Sequence, residues 1–278
     1  MWAQCPHRWK TSYVDGVREY TDSIHTMFGT SMHEVIQAFL TVMYNDSAKL
    51  AESLPLNDML KERMKRNFEQ IVKANGGEMF CTEKDMVEFY IHGTEILDFI
   101  KKKRAQYFSK RGYELIGIEV PLDYDLPNDI KFVGYIDIVI KDTVRDVIKI
   151  YDIKTSTMGW NKYMKADKNK TDQLLLYKQF YSKQFNHPLD KIEVEYFIVK
   201  RKLYENLDFP QKRVQKFVPA NGKPSINKVV TRLDNFITEC FNSDGEYNTE
   251  HIYRKEASKK NCKFCEFNQT EYCDVGVK

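Results

Sequence analysis

Residues 133–157 read VGYIDIVIKDTVRDVIKIYDIKTST, two apolar runs separated by the polar segment KDTVRD. Runs rich in Val, Ile and Tyr, bounded by polar turn residues, predict two β-strands joined as a hairpin. Each strand nevertheless carries an aspartate, Asp137 in the first and Asp152 in the second, and Lys154 follows Asp152 by two. Strand interiors avoid aspartate, and a buried carboxylate is costly unless paired or metal-bound. Side chains alternate along a strand, so Asp152 and Lys154 share a face with Ile148 and Ile150, and Asp137 shares its own with Tyr135 and Val139. With the turn between them, the two acids can meet on one side of the sheet. Carboxylates that meet repel each other and need a cation, and hard oxygen ligands select Mg²⁺ or Mn²⁺. A lysine beside such a metal orients water or offsets charge on a phosphate, which suits phosphodiester hydrolysis. The bland alternative is a surface hairpin with a Lys–Asp salt bridge, and a bare D-x-K tripeptide is common enough to favour it.

The rest of the chain frames that hairpin. At 278 residues, 42% hydrophobic and 30% charged, it has the composition of a globular protein able to bury a substantial core. A net charge of +3 is too mild to argue for a nucleic-acid partner by itself. No run of eighteen apolar residues occurs and MWAQCPHRWK lacks the apolar core of a signal peptide, which predicts a cytoplasmic protein, of a bacterium or a phage-infected cell, with no membrane partner. In that compartment the six cysteines point to metal or free thiols rather than disulfides.

Upstream, TMFGTSMHEVIQAFLTVMYND becomes helix-periodic, with Val35, Ile36, Phe39, Leu40 and Met43 on one stripe. Two more helices are predicted over 56–74 and 83–110, and YELIGIEVPLDYDL begins the strands. Downstream, NKYMKADKNK reads as a basic loop, TDQLLLYKQFYSKQF as a helix, KIEVEYFIVKRK as a strand, KRVQKFVPA as a further strand and SINKVVTRLDNFITECF as a helix. The order predicts one α/β domain over 1–278. It carries a helical insertion at about 46–112, placed as a lid over the hairpin, and a cysteine-bearing segment at about 253–278.

Four stretches, in order, carry a resemblance. FGTSMHEVIQ resembles a G-T-x-x-H motif, GYID and YDIKT resemble the second and third motifs, and QLLLYKQF resembles the Q-x-x-x-Y helix, all of the RecB-like exonuclease branch of the PD-(D/E)XK nuclease superfamily. The resemblance implies a restriction-endonuclease-like core, a mixed central sheet flanked by helices. It implies metal ligation by His33, Asp137, Asp152 and the Ile153 carbonyl, water positioning by Lys154, and a Gln173–Tyr177 face turned to the active site. Gln37 stands where relatives often have a glutamate. Glu119, in GIEVPL, is weighed as a metal-facing residue and read instead as a solvated strand-edge glutamate. On their own, His33 reads as an ordinary helix histidine and Tyr177 as core.

Cys262, Cys265 and Cys273 lie in NCKFCEFNQTEYC, and Cys5 lies in QCPHRWK at the other end. The set resembles the one N-terminal and three C-terminal cysteines of the branch's iron–sulfur members, the CRISPR-adaptation exonucleases and recombination nucleases, which implies a [4Fe–4S] cluster. Seven residues between Cys265 and Cys273, rather than about five, keep Zn²⁺ open as the alternative. Basic runs at 101–104, 110–111 and 162–170, the last beside Trp160 and Tyr163, suit a single strand, with phosphates on lysines and bases on rings. A solvated helix face is the plainer reading of 101–104. The expected function is a metal-dependent deoxyribonuclease acting exonucleolytically on single-stranded or frayed DNA ends in recombination, repair or end processing. The rivals are a non-catalytic DNA-binding scaffold on the same fold and an RNA-directed nuclease.

Overall fold

The computed structural model describes residues 1–17 and 21–277. Helix α1 (Pro6–Tyr13) is followed by α2 (Ile24–Asn45), α3 (Ala48–Ser53), α4 (Leu56–Ala74) and α5 (Glu83–Tyr107). Strands β1 (Tyr113–Leu126), β2 (Ile130–Asp142) and β3 (Val147–Ser156) come next, then α6 (Lys162–Ala166) and α7 (Lys168–Phe185). Strands β4 (Ile192–Lys200) and β5 (Val214–Phe217), α8 (Lys223–Cys240) and α9 (Lys259–Cys262) complete the order. The chain divides into two compact units, one of residues 22–122 and 133–221, the other of 1–21, 123–132 and 222–278.

In the larger unit the sheet runs β1-β2-β3-β4-β5. β2 and β3 pair antiparallel, β3 and β4 parallel, and β4 and β5 antiparallel. The mixed α/β sheet flanked by helices is the expected class. A parallel neighbour requires a crossover, and α6 and α7 supply it between β3 and β4. β3 is paired on both edges, and its Ile148, Ile150, Tyr151 and Ile153 are all buried, which is why its apolar run is nearly continuous. The hairpin turn closes on Asp142, whose Oδ1 accepts the backbone N–H groups of Val144 (3.2 Å) and Arg145 (3.0 Å).

α2 starts at Ser23, whose hydroxyl accepts the Thr26 N–H at 3.2 Å. It is apolar on more than one face because it is covered on two sides. Its Val35, Phe39, Leu40 and Met43 share one core with Ile138, Ile140, Ile153 and Phe197 of the sheet and with Leu60, Met64, Ile96 and Ile100 of α4 and α5. Truncating a residue as enclosed as Leu40, 0% exposed, to alanine would cost about 2–5 kcal/mol. The helices within 46–112 are thus a packed layer over α2. α5 opens with a full capping box between Thr82 and Asp85.

Three segments depart from the sequence reading. Pro6–Tyr13 is helical, with proline at its first position. Residues 48–53 form a short helix capped by Ser47. Residues 161–170, read as a loop, hold α6 and the start of α7. The Asn161 side chain accepts from Tyr163 and Met164 N–H at 3.0 Å each, and Asp167 accepts from Asn169 N–H. Caps, rather than an apolar stripe, start both helices.

The smaller unit holds the chain's two ends together. Trp9 packs against Phe236, Tyr247 and Tyr253 with ring centroids 5.3–5.7 Å apart. His7 Nε2 lies 2.8 Å from the Tyr272 carbonyl oxygen, Asn261 Nδ2 donates to the Gln4 carbonyl at 2.9 Å, and Arg8 pairs with Glu266.

Candidate metal centre and cysteine pocket

The β2–β3 register runs as far as Ile138 opposite Tyr151, and Asp137 and Asp152 are the next residues along the two strands. Asp137 Oδ2 accepts the Ile153 N–H at 2.6 Å, so a buried carboxylate is anchored by the backbone of the neighbouring strand. Asp152, 2% exposed, is ion-paired through its Oδ2 with Lys154 Nζ at 2.8 Å. Burial pushes the carboxyl groups of both aspartates up to about 6, with the Ile153 hydrogen bond opposing at Asp137 and the Lys154 charge opposing at Asp152. Two buried acids in this state, with the Lys154 ammonium beside one of them, are what a bound cation would relieve.

His33 comes in from α2, with Nδ1 3.6 Å from Asp137 Oδ2. Burial holds its pKa below the usual histidine value, against the charge of Asp152, so the ring is neutral and free to ligate at neutral pH. The Ile153 carbonyl faces the same ring. Lys154 Nζ also donates to Gln173 Oε1 at 3.1 Å, and Gln173 Nε2 donates to the Tyr177 hydroxyl at 2.9 Å. The two α7 residues and the lysine therefore form one chain of hydrogen bonds. Gly134 of GYID is needed because a Cβ there would sit 2.9 Å from the Tyr177 ring.

Glu119 is the residue the sequence reading set aside. His33, Glu119 and Asp137 place ligand atoms within 4.8 Å of one another, the group of this kind that forms among the described residues. Asp152 lies outside that trio, turned to Lys154. Glu119 reaches it from a left-handed backbone (φ 49°), a conformation costing a non-glycine residue about 1–3 kcal/mol and concentrated at functional sites. Its Oε1 accepts from Gln37 Nε2, which also reaches the Asp137 carbonyl at 3.3 Å. Gln37 thus brings no carboxylate of its own but orients the one that Glu119 brings. The only signal in the sequence was an acid within an otherwise apolar GIEVPL strand.

In the smaller unit Cys5, Cys262, Cys265 and Cys273 all line one pocket, with Arg8 and Phe267. None is in a disulfide. Cys5 is the N-cap residue of α1. Cys81 and Cys240 lie outside this pocket.

The basic runs divide. Lys101 donates to the Leu54 carbonyl, Arg104 pairs with Glu52, and Lys110 donates to the Asp46 carbonyl, so these serve helix packing. Trp160 is buried against Tyr196 and Phe217 and is no platform for a base. Tyr163, 73% exposed, stands beside Lys162.

Residues 2–273 match the PD-(D/E)XK nuclease superfamily, and the chain belongs to that family. Members use divalent metals on nucleic acid, so membership implies a nuclease with a DNA substrate. No protein of curated description matches the sequence. Among solved structures, the chain is similar to a Eubacterium rectale protein provisionally named an exonuclease, at 12% identity and a TM-score of 0.49, covering 94% of this chain and 79% of that one. Among the described residues no helix is long and apolar enough to cross a membrane.

Proposed function

We propose that the protein is a Mg²⁺- or Mn²⁺-dependent exodeoxyribonuclease of the RecB-like branch, acting on single-stranded or frayed ends in recombination, repair or end processing. The observation that carries this reading is the Lys154 ammonium, held between the Asp152 carboxylate and the Gln173 amide beside the His33–Glu119–Asp137 group. A scaffold protein has no need of a buried, mutually repelling acid pair that destabilises the fold.

His33, Asp137, Asp152 and the Ile153 carbonyl would hold the metal, with Glu119 as an added ligand. The ion supplies charge neutralisation and a lowered pKa for bound water. Lys154 positions the attacking water and, as a cation, offsets the charge that builds on the phosphate. Gln173 fixes the lysine's direction, and Tyr177 fixes Gln173. The exposed Tyr163 and Lys162 suit a base and a phosphate of a single strand.

The four cysteines that line one pocket are a donor set that a [4Fe–4S] cluster would take, as the resemblance implies, with Zn²⁺ as the alternative. Cluster binding would staple residues near both ends, a structural role.

The test is degradation of end-labelled linear single-stranded DNA with Mn²⁺, beside a circular single strand and an RNA of the same sequence. Progressive shortening of the linear DNA alone supports the reading. Cutting of the circle at an equal rate contradicts the exonuclease assignment, and preference for RNA contradicts the substrate.

A further inference from the structure

β3 does not end at Lys154. Thr155 and Ser156 continue it, Thr157 follows directly, and with His25, Phe89 and Arg201 they line a second pocket. At about 3.3 Å per residue, Ser156 lies roughly 7 Å beyond Lys154. The pocket is therefore contiguous with the metal centre without being part of it.

Its chemistry is that of an anion site. Arg201 is 7% exposed, its guanidinium 3.8 Å above the Phe89 ring, a burial that lysine could not match with a planar fork. Arg201 and Lys202 share a single carboxylate, Glu88, at 3.1 and 3.0 Å. His92 Nδ1 is 3.1 Å from Arg201, and burial and the arginine charge keep His92 below the usual histidine pKa. Of these groups Arg201 alone lines the pocket, while Lys202, its side chain 45% exposed, lies outside the lining. The side walls are three hydroxyls. The Ser156 hydroxyl already accepts from the Gly159 N–H at 3.1 Å, so its proton is directed elsewhere. His25 stands in the first turn of α2, the positive end of a 22-residue helix. The backbone fixes this arrangement, because Arg201 and Lys202 N–H donate to the Ser156 and Thr157 carbonyls at 2.8 and 2.7 Å.

We infer that this pocket binds the terminal phosphate of a DNA strand and so sets how far from its end the strand lies across Lys154. The inference rests on the nuclease reading. A phosphate monoester carries about −1.5 to −2 charges near neutrality, more than a diester, and gains more from a buried guanidinium and the hydroxyl donors beside it. It also projects from the chain end on a single ester link, as reaching a guanidinium so little exposed requires. An internal diester, tethered on both sides, lies along the surface. The pocket would distinguish phosphorylated from hydroxyl ends and give the enzyme a preferred step.

The experiment measures binding of short fluorescent single strands bearing a phosphate or a hydroxyl at the 5′ end, or a phosphate or a hydroxyl at the 3′ end. It uses the full chain with Ca²⁺ in place of Mg²⁺, and inorganic phosphate as competitor. The expected result is a preference of about tenfold or more for a phosphate at one of the two ends, as for an added charge-assisted hydrogen bond, relieved by free phosphate. Arg201→Gln removes the preference and leaves hydroxyl-ended binding within about twofold. Thr157→Val, which spares the Arg201 packing, reduces it and serves should Arg201→Gln fail to fold. Equal binding of all four ends by the wild type overturns the inference while leaving the nuclease reading intact. So does a loss in Arg201→Gln that is equal for every strand, which would mark an internal diester. Binding of no strand at all counts against the nuclease reading instead. Titration with inorganic phosphate alone then tests the pocket, since phosphate bound by wild type and not by Arg201→Gln sustains it, and none bound overturns it.

Discussion

Replacing Asp152 with asparagine should make the metal-free protein more stable, although it destroys the centre. The Asp152 carboxyl is raised from an ordinary value of 3.8 to about 6, chiefly by burial, in concert with Asp137. A carboxyl whose folded pKa is raised favours the fold while protonated. That contribution is complete below about 4 and is lost as pH rises through about 6. At pH 8 the ionised pair opposes folding by about 3 kcal/mol at most, from about two pH units at 1.36 kcal/mol each. Because the two acids titrate together, the relief counts once. At about 2–4 °C per kcal/mol for a chain this long, Asp152→Asn should melt several degrees above wild type in EDTA at pH 8. The difference should shrink towards pH 4.5. Mn²⁺ should reverse the order, because it stabilises only the protein that binds it. Thermal unfolding at both pH values, with EDTA and with Mn²⁺, checks all three statements. A variant less stable than wild type in EDTA at pH 8, or a difference independent of pH, would refute the reasoning.

Gln37→Ala should weaken Mn²⁺ binding in calorimetry by about 10–100-fold with the fold intact, as when a partner that orients a ligand is lost; unchanged affinity would remove Glu119 from the ligand set. Gly134→Ala should cost about 1–3 kcal/mol in denaturant unfolding, because its Cβ meets the Tyr177 ring at 2.9 Å; a neutral change would mean that the ring moves aside freely. Protein purified without oxygen should be brown, with absorption near about 400 nm from thiolate-bound iron and sulfide. Cys262→Ala should lose the colour and stability together, whereas a colourless protein with one zinc per chain would replace the cluster.

The hairpin was legible because its anomaly is local. Two acids and a lysine inside apolar strands conflict with strand propensity, and the conflict marks the site. Lys154 and Gln173 meet, as the motif order implied. Glu119 was not legible, because its aim depends on a left-handed residue within β1, and nothing in GIEVPL announces that turn of the backbone. Residues 46–112 showed helices of nearly the right extent, but their periodicity could not say what they cover. The structure makes them a second layer on α2, and α5 delivers Glu88, Phe89 and His92 to Arg201. Arg201 itself looked like one more lysine-rich strand end in VKRK. Trp160 went the other way: beside a basic loop it read as a stacking platform, and the sheet buries it.

The most direct test of the catalytic centre compares wild type with Lys154→Ala on linear single-stranded DNA, with Mn²⁺ affinity measured on the same preparations. The ammonium acts on charge that develops during cleavage, so the account predicts a rate lower by about 10²–10³ with Mn²⁺ affinity changed only a few-fold. Cleavage by Lys154→Ala within a few-fold of wild type, or a wild type whose cleavage does not depend on the metal, would contradict it.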